Sequence, residues 1–188
     1  MRYALISDVH ANVEALTAVL ADIDGRNEGN VPVDAIYHPG DLVGYASSPN
    51  AVVDRLRQRG VAGIAGNYDS TVASDSRHCG CKSESPRQEE LAHISYAYTR
   101  GAVTPETTRF LAGLPFSLDL RPLGGHAPGP RLVLVHGTPT LHTVCFTVDR
   151  PDDFCWKMAA AAGSRPGTCW PSGTRTRPGT AWSTACIS

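Results

Sequence analysis

Side chains that can bind a divalent metal ion stand at four places in the chain where an apolar run has just ended. They are Asp8 and His10, then Asp41, then Asn67, and finally His136. Because alternate residues of an extended segment point the same way, Asp8 and His10 can face a common ion. Carboxylate, imidazole and amide donors together suit a pair of hard-to-borderline divalent ions such as Mn, Fe or Zn. The residue types therefore indicate a metal centre.

Each of these residues also has a purely structural explanation. An aspartate at the end of a strand is more often a turn residue or a helix cap, and an asparagine after glycine is more often a turn residue than a ligand. The Gly40-Asp41 pair is common, and His136 is equally compatible with a buried core histidine. The combination of all four, in order and each at a strand end, is far more specific than any one of them.

Strands and helices alternate through the first 163 residues, which predicts an α/β fold. In open α/β sheets, sites form beyond the carboxyl ends of the strands, where the candidate ligands stand. Asn12 is predicted to cap a helix that ends near Gly25, and Leu91, Ile94 and Tyr98 predict a helix in the middle of the chain. Further helices are predicted over 48–60, 105–114 and 151–163, strands over 2–7, 34–38, 61–65, 118–120 and 131–135, and loops over 70–85 and 122–130.

Four sequence motifs resemble those of the calcineurin-like metallophosphoesterases. That family's series is D-x-H, G-D, G-N-[H/C]-[D/E], a strand ending in His-Gly, and G-H-x-H. The first four stand here at 8–10, 40–41, 66–69 and 135–137, and G-D continues as L-V-G-Y, as in a small bacterial, phosphodiesterase-like branch. The resemblance covers residues 1–163. It implies an α/β sandwich that is truncated at its C-terminal strands.

The resemblance also implies a site and an activity. Asp8 and His10 would bind a first ion, Asn67 and His136 a second, and Asp41 would bridge the two. The ions would be two divalent metals (Mn, Fe, Zn or Ni), and a hydroxide between them would attack the phosphorus of a phosphoester substrate. The expected activity is that of a metal-dependent phosphodiesterase or phosphatase.

Two departures from the family pattern leave other readings open. Tyr68 stands where many members have a histidine that is thought to protonate the leaving group, and a packing role for this tyrosine is favoured over a catalytic one. The G-H-x-H motif is absent, since no histidine follows His142. The alternatives are a catalytically impaired remnant and a non-catalytic binding protein on the same scaffold.

Residues 164–188 differ in composition from the rest of the chain. They contain five Thr and four Ser but no Asp, Glu, Lys, Leu or Val, and they are predicted to be a disordered tail beyond a domain of residues 1–163. A frameshift near Gly167 is one hypothesis for this change. Read one frame over, 168–177 can encode D-V-L-A-F-G-H-T-H-K, which is a strand followed by the missing motif.

Composition and charge exclude several classes of function. The net charge of −1 gives no case for a nucleic-acid-binding surface or an anionic membrane as partner. No apolar run approaches the roughly 18 residues that span a bilayer, and the first eight residues are too short an apolar stretch for a signal peptide. A cytoplasmic protein with six free thiols is therefore expected. The oligomeric state is left open.

A second cluster of metal-binding residue types lies at His78-Cys79-Gly80-Cys81. The spacing is not the usual Cys-x2-Cys of a zinc site, and a tetrahedral ion would need a fourth ligand, for which Cys145 and Cys155 are the candidates. A loop over the substrate with incidental thiols is the favoured interpretation of this cluster.

Overall fold

A computed structural model describes residues 2–29, 32–81, 83, 85–120, 132–144, 147 and 150–163. Its larger sheet has three parallel strands in the order β1 (Tyr3–Leu5), β2 (Ala35–His38) and β3 (Ala62–Gly63). Helix α1 (Val13–Glu28) connects β1 to β2, and helix α2 (Pro49–Gln58) connects β2 to β3. The carboxyl ends of the three strands therefore meet at one edge of the sheet.

The second half of the described chain is mostly helical. It contains α3 (Asn67–Ala73), α4 (Pro86–Ala102), α5 (Pro105–Ala112) and α6 (Asp152–Ala161), with strands β4 (Ser117–Leu120) and β5 (Leu132–Val135) between the last two helices. The two strands pair antiparallel, with Ser117 opposite Val135. The backbone N–H of Ala65, just after β3, donates to the carbonyl of Pro115 (2.9 Å), which joins the segment before β4 to the first sheet.

Helix starts follow directly from local sequence. The side chains of Asn12, Ser85 and Thr104 each accept a hydrogen bond from the backbone N–H three residues on, and so cap α1, α4 and α5. The helices pack against the first sheet through a core of fully buried aliphatic side chains, and this core fixes the positions of the strand ends. Its most buried members are Leu42, Val43, Val52, Val53, Leu56 and Ile64.

All five predicted strands and five predicted helices are present, with three differences. Helix α1 continues past Gly25, because the N–H of Gly29 closes the last turn on the carbonyls of Arg26 and Gly25. The 70–85 segment is not all loop, since α3 occupies its first residues. In α4, the apolar residues that predicted the helix face solvent, and the helix packs instead through Ala92, Tyr96 and Thr99; the exposed residues are Leu91, Ile94 and Tyr98.

Other predictions cannot be compared with the structure. The Gly/Pro loop at 122–130 and the tail at 164–188 lie outside the described residues. Within the described part of the chain, no helix combines the length and the apolar character needed to cross a bilayer.

Candidate metal centre

The first half of the site forms where the loop after β1 meets the loop after β2. The N–H groups of Asp8 and His10 donate to the carbonyls of Gly40 and Asp41 (3.1 and 3.0 Å). Asp8, His10 and Asp41 all have left-handed backbone conformations, with φ of 54°, 46° and 54°. Such conformations are uncommon for residues other than glycine and concentrate at functional sites. The loop packing therefore holds these side chains in a strained arrangement.

These three residues bring their donor atoms together. His10 Nε2 lies 3.8 Å from Asp8 Oδ1 and 3.8 Å from Asp41 Oδ2. One ligand atom from each residue fits within 4.8 Å of the others, and no other trio of His, Cys, Asp or Glu in the described ranges satisfies that test. The first half of the predicted site is therefore assembled.

The second half of the site shares Asp41 with the first. His136 follows β5, and its Nε2 lies 3.6 Å from Asp41 Oδ2 and 3.2 Å from Oδ1 of Asn67, the first residue of α3. His136 is almost fully buried. The structure thus brings all five sequence-predicted ligands together, with Asp41 Oδ2 between the two imidazoles.

The hydrogen bonds fix which atom each side chain leaves available. Ser7 Oγ donates to Asp8 Oδ2 (2.6 Å), and the N–H of Tyr68 donates to Asp41 Oδ1 (2.9 Å). Each carboxylate therefore uses one oxygen within the protein and keeps the other directed into the site.

Both imidazoles are held in the tautomer that can bind a metal. His10 Nδ1 donates to the carbonyl of Val43 (3.1 Å), and His136 Nδ1 donates to the carbonyl of Pro39 (3.0 Å). Because a carbonyl can only accept, the proton is on Nδ1 and Nε2 carries a free lone pair. Burial lowers the pKa of His10, which further favours the neutral ring. Burial and the neighbouring Asp69 carboxyl raise the pKa of Asp41 well above its usual value.

A family comparison agrees with this arrangement. The sequence model of the family of calcineurin-like phosphoesterases matches residues 1–163. The chain belongs to this family. This match confirms the predicted family and fold. Members of the family bind divalent metal ions and act on phosphoesters.

Individual relatives match over part of their length. An uncharacterised protein of Methanocaldococcus jannaschii is 29% identical over 136 residues, which are 72% of this chain and 49% of that protein. A metallophosphoesterase from Sphaerobacter thermophilus is 25% identical (TM-score 0.56, covering 86% of this chain and 56% of that one). A hypothetical protein from Pyrococcus horikoshii is 24% identical (TM-score 0.68, covering 85% and 64%) and shares the fold. The chain spans about half the length of the curated relative.

Asp69 is a site residue to which sequence reasoning gave no role, although it lies in the G-N motif of this calcineurin-like phosphoesterase. Its buried carboxylate accepts from the N–H groups of Leu42 (2.9 Å), Val43 (3.3 Å) and Gly66 (3.0 Å). It therefore ties the loop after β2 to the start of α3. Asp69 is the third residue of α3, and its carboxylate reaches back to the N–H of Gly66 just before the helix. An acidic residue at this position of a helix is the local signal that could have identified the Gly66 bond.

Tyr68 is fully buried beside the site. Its ring lies 5.6 Å from the ring of His10, centroid to centroid, and a Cβ on Gly44 would overlap it. Among the described residues, the tyrosine Oη has no hydrogen-bond partner. Burial raises the pKa of Tyr68, which makes the phenol a weaker acid than usual. These contacts favour the packing role over proton donation.

The 78–81 segment differs from the expectation of incidental thiols. Cys79 and Cys81 form a disulfide, because left-handed Gly80 (φ 73°) turns the chain back and brings their Cα atoms to 5.3 Å. The prediction of free thiols is therefore wrong for this pair, and neither sulfur is available to a zinc ion while the bond is intact. Cys155 is a free cysteine, and Cys145 lies outside the described residues.

Proposed function

We propose that this chain is a metal-dependent phosphoester hydrolase that holds two divalent ions through the five predicted ligands. The observation that carries the proposal is the position of Asp41 Oδ2, which lies 3.8 Å from His10 Nε2 and 3.6 Å from His136 Nε2. Asp8 and His10 would complete the first ion's ligands, and Asn67 and His136 the second's.

The distances from Asp41 Oδ2 to the two imidazoles fit shared ions better than they fit hydrogen bonds. Separations of 3.6 and 3.8 Å exceed the 3.2 Å or so of a hydrogen bond between nitrogen and oxygen. Two ligands bound at about 2.1 Å to one tetrahedral ion lie roughly 3.4 Å apart. Neutral imidazole, carboxylate and amide oxygen together suit Mn, Fe, Zn or Ni.

The residues of the chain position the reactants. Two divalent ions held by these residues would supply a nucleophile from water near neutral pH and would offset charge on the phosphoryl oxygens. Hydrogen bonds from Nδ1 of His10 and His136 to backbone carbonyls orient both imidazoles with Nε2 toward the site. Because Tyr68 is buried and weakly acidic, it is poorly suited to protonate the leaving group. We therefore expect phosphodiesters with good leaving groups to be favoured over alkyl monoesters.

The missing G-H-x-H motif supports a second candidate function. In the family this motif supplies one histidine to each ion, and here no histidine follows His142. A chain with five ligands would be a catalytically impaired remnant or a non-catalytic binding protein that still takes up metal. The frame hypothesis, the division into residues 1–163 and 164–188, and a cytoplasmic location stay predictions.

Hydrolysis of bis(p-nitrophenyl) phosphate with Mn²⁺ tests the proposal on this chain, on its His136→Ala variant and on a frame-restored chain. The proposal predicts turnover by this chain that the variant loses. Turnover only by the restored chain, with Mn²⁺ still bound by both, would favour the impaired remnant. If both chains fail to turn over the substrate and also fail to bind metal, the proposal is contradicted.

A further inference from the structure

The side chain of Asn67 is held between the metal site and the disulfide loop of residues 79–81. Its Oδ1 faces His136 Nε2 (3.2 Å), while its Nδ2 donates to the carbonyl of Cys79 (3.2 Å) and lies 3.9 Å from Sγ of Cys81. One end of the amide is therefore directed at the site and the other end at the loop.

The orientation of this amide decides whether Asn67 can bind a metal. The amide oxygen has lone pairs to give, whereas the NH₂ group has only protons to donate. A half-turn of the amide would direct the NH₂ group at the ion and remove the ligand. Since a carbonyl only accepts, the carbonyl of Cys79 selects the orientation that leaves Oδ1 facing the site.

The loop that carries this carbonyl is itself fixed at several points. The disulfide closes it across Gly80, and the N–H of Cys81 donates to Sγ of Cys79 (3.2 Å). Thr71 Oγ1, one turn along α3 from Asn67, also approaches the Cys79 carbonyl (3.3 Å). Cys79 is 4% exposed, so the acceptor sits on a buried residue of the loop.

We propose that the Cys79-Gly80-Cys81 loop is a positioning element for Asn67 and thereby for the second metal ion, which rests on the proposed function. The disulfide keeps the Cys79 carbonyl where it orients the amide. The hydrogen bonds described above join Asp8 and His10 to Ser7, Gly40, Asp41 and Val43, which lie outside this loop. The loop approaches the first half through Tyr45, whose Oη lies 3.9 Å from Sγ of Cys81 and whose ring packs against that of His10 (4.5 Å between centroids). We therefore expect the loop to affect the first ion much less than the second.

The first test is calorimetric titration of the full chain with Mn²⁺, comparing it with a Cys79→Ala/Cys81→Ala variant. The variant keeps the Cys79 carbonyl but loses the clamp on the loop. We expect affinity for the second ion to fall 10–100-fold, the range typical of partners that orient a metal ligand, with the first ion unchanged within about twofold. Cys155→Ala, which removes a free cysteine from α6, is the matched control and should leave both affinities unchanged. Equal affinities in variant and parent, or equal weakening of both ions, would overturn the proposal.

A second readout needs no metal and no activity. In ¹⁵N-labelled metal-free protein, hydrogen exchange of the Asn67 NH₂ group reports its bond to Cys79. We expect exchange to speed up about tenfold, as for the loss of one hydrogen bond, in the double variant and after phosphine reduction of the parent chain. Unchanged exchange would overturn the proposal even if the protein binds two ions. If reduction speeds up the exchange but the parent chain binds no Mn²⁺, the proposed function is contradicted while the positioning role of the loop is supported.

Discussion

The two halves of the site are built in different ways. Asp8 and His10 are two residues apart on one loop, and backbone hydrogen bonds to the neighbouring G-D loop hold them. Asn67 and His136 are 69 residues apart, and they reach the site from the start of α3 and the end of β5. The first half depends on one loop held against an adjacent loop of the same sheet, whereas the second half depends on packing between a helix start and a strand end far apart in sequence.

The halves also differ in what opposes their formation. The His10 side chain keeps 20% of its surface exposed. The backbone is left-handed at both Asp8 and His10, and this conformation costs on the order of 1 kcal/mol per residue. The His136 side chain is 3% exposed. Apart from its contacts with the other candidate ligands, its one hydrogen bond among the described residues is to the carbonyl of Pro39. Backbone strain opposes the first half, and burial of polar groups opposes the second.

The largest expected effect comes from the residue that both halves share. Asp41→Asn should weaken binding of both Mn²⁺ ions by on the order of 100-fold or more, beyond the usual effect of an orienting partner, because Oδ2 lies near both imidazoles. Calorimetric titration measures this, with a substitution of the exposed Asp54 of helix α2, Asp54→Asn, as the control. Loss of only one ion would show that Asp41 does not bridge the halves.

Removing one histidine from each half should separate the halves. We expect His10→Ala and His136→Ala each to lose one Mn²⁺ ion and keep the other. Each substitution leaves a backbone carbonyl without its partner, that of Val43 for His10 and that of Pro39 for His136. His136→Ala should lower the free energy of unfolding by about 1–3 kcal/mol, and by more than His10→Ala, because the His136 side chain is 3% exposed and that of His10 is 20% exposed. Metal content by mass spectrometry and urea unfolding measure the two effects. Equal destabilisation by both substitutions would contradict the contrast between a partly exposed His10 and a buried His136.

Acid should destabilise the metal-free fold through a residue outside both halves. His38 ends β2, is fully buried and, among the described residues, has no partner for either ring nitrogen; burial lowers its pKa to about 4. The unfolded chain takes up this proton near pH 6.5 and the folded chain only near pH 4, so stability is lost as the pH falls between these values. The expected loss is about 3 kcal/mol. Urea unfolding with EDTA at pH 4 to 8 measures it.

The control for this acid effect is His38→Leu, which cannot titrate. Its free energy of unfolding should fall by about 3 kcal/mol less than that of the parent chain over the same pH range. The same slope in both proteins would assign the acid sensitivity to other groups. This comparison separates acid loss of the fold from acid loss of the ions.

The smallest expected effect is that of Tyr68→Phe. The substitution removes an oxygen that has no hydrogen-bond partner in the described part of the chain and keeps the ring that packs on His10 and Gly44. Hydrolysis of bis(p-nitrophenyl) phosphate should stay within about twofold of the parent rate, and thermal stability should not fall. A rate loss above about 100-fold would restore Tyr68 as the proton donor.

The clustering of the five candidate ligands was predictable from the sequence because each stands directly after an apolar run. Residues that directly follow a strand are held near its end, and parallel strands end at the same edge of the sheet. Asp8, Asp41 and Asn67 were therefore expected to lie close together. What supports them was harder to predict, since the hydrogen bonds of Asp69 span 26 and 27 residues of sequence to reach Val43 and Leu42. Such contacts arise from tertiary packing and leave no local pattern.

The errors have similar causes. Helix α1 passes Gly25 because a later glycine offers a better C-terminal cap, and one glycine inside a helix costs only about 1 kcal/mol. The outward-facing Leu91, Ile94 and Tyr98 show that apolar spacing gave the helix but not the face that packs. The disulfide was missed because cysteine spacing alone does not show how Gly80 turns the chain.

The most direct test of the central claim is an anomalous difference map from crystals of the full chain grown with Mn²⁺. The account predicts two peaks flanking Asp41 Oδ2, one beside Asp8 and His10 and the other beside Asn67 and His136. A map without a peak at Asp41, or with a single peak that touches only one of the two halves, would contradict a two-ion centre built by these five residues.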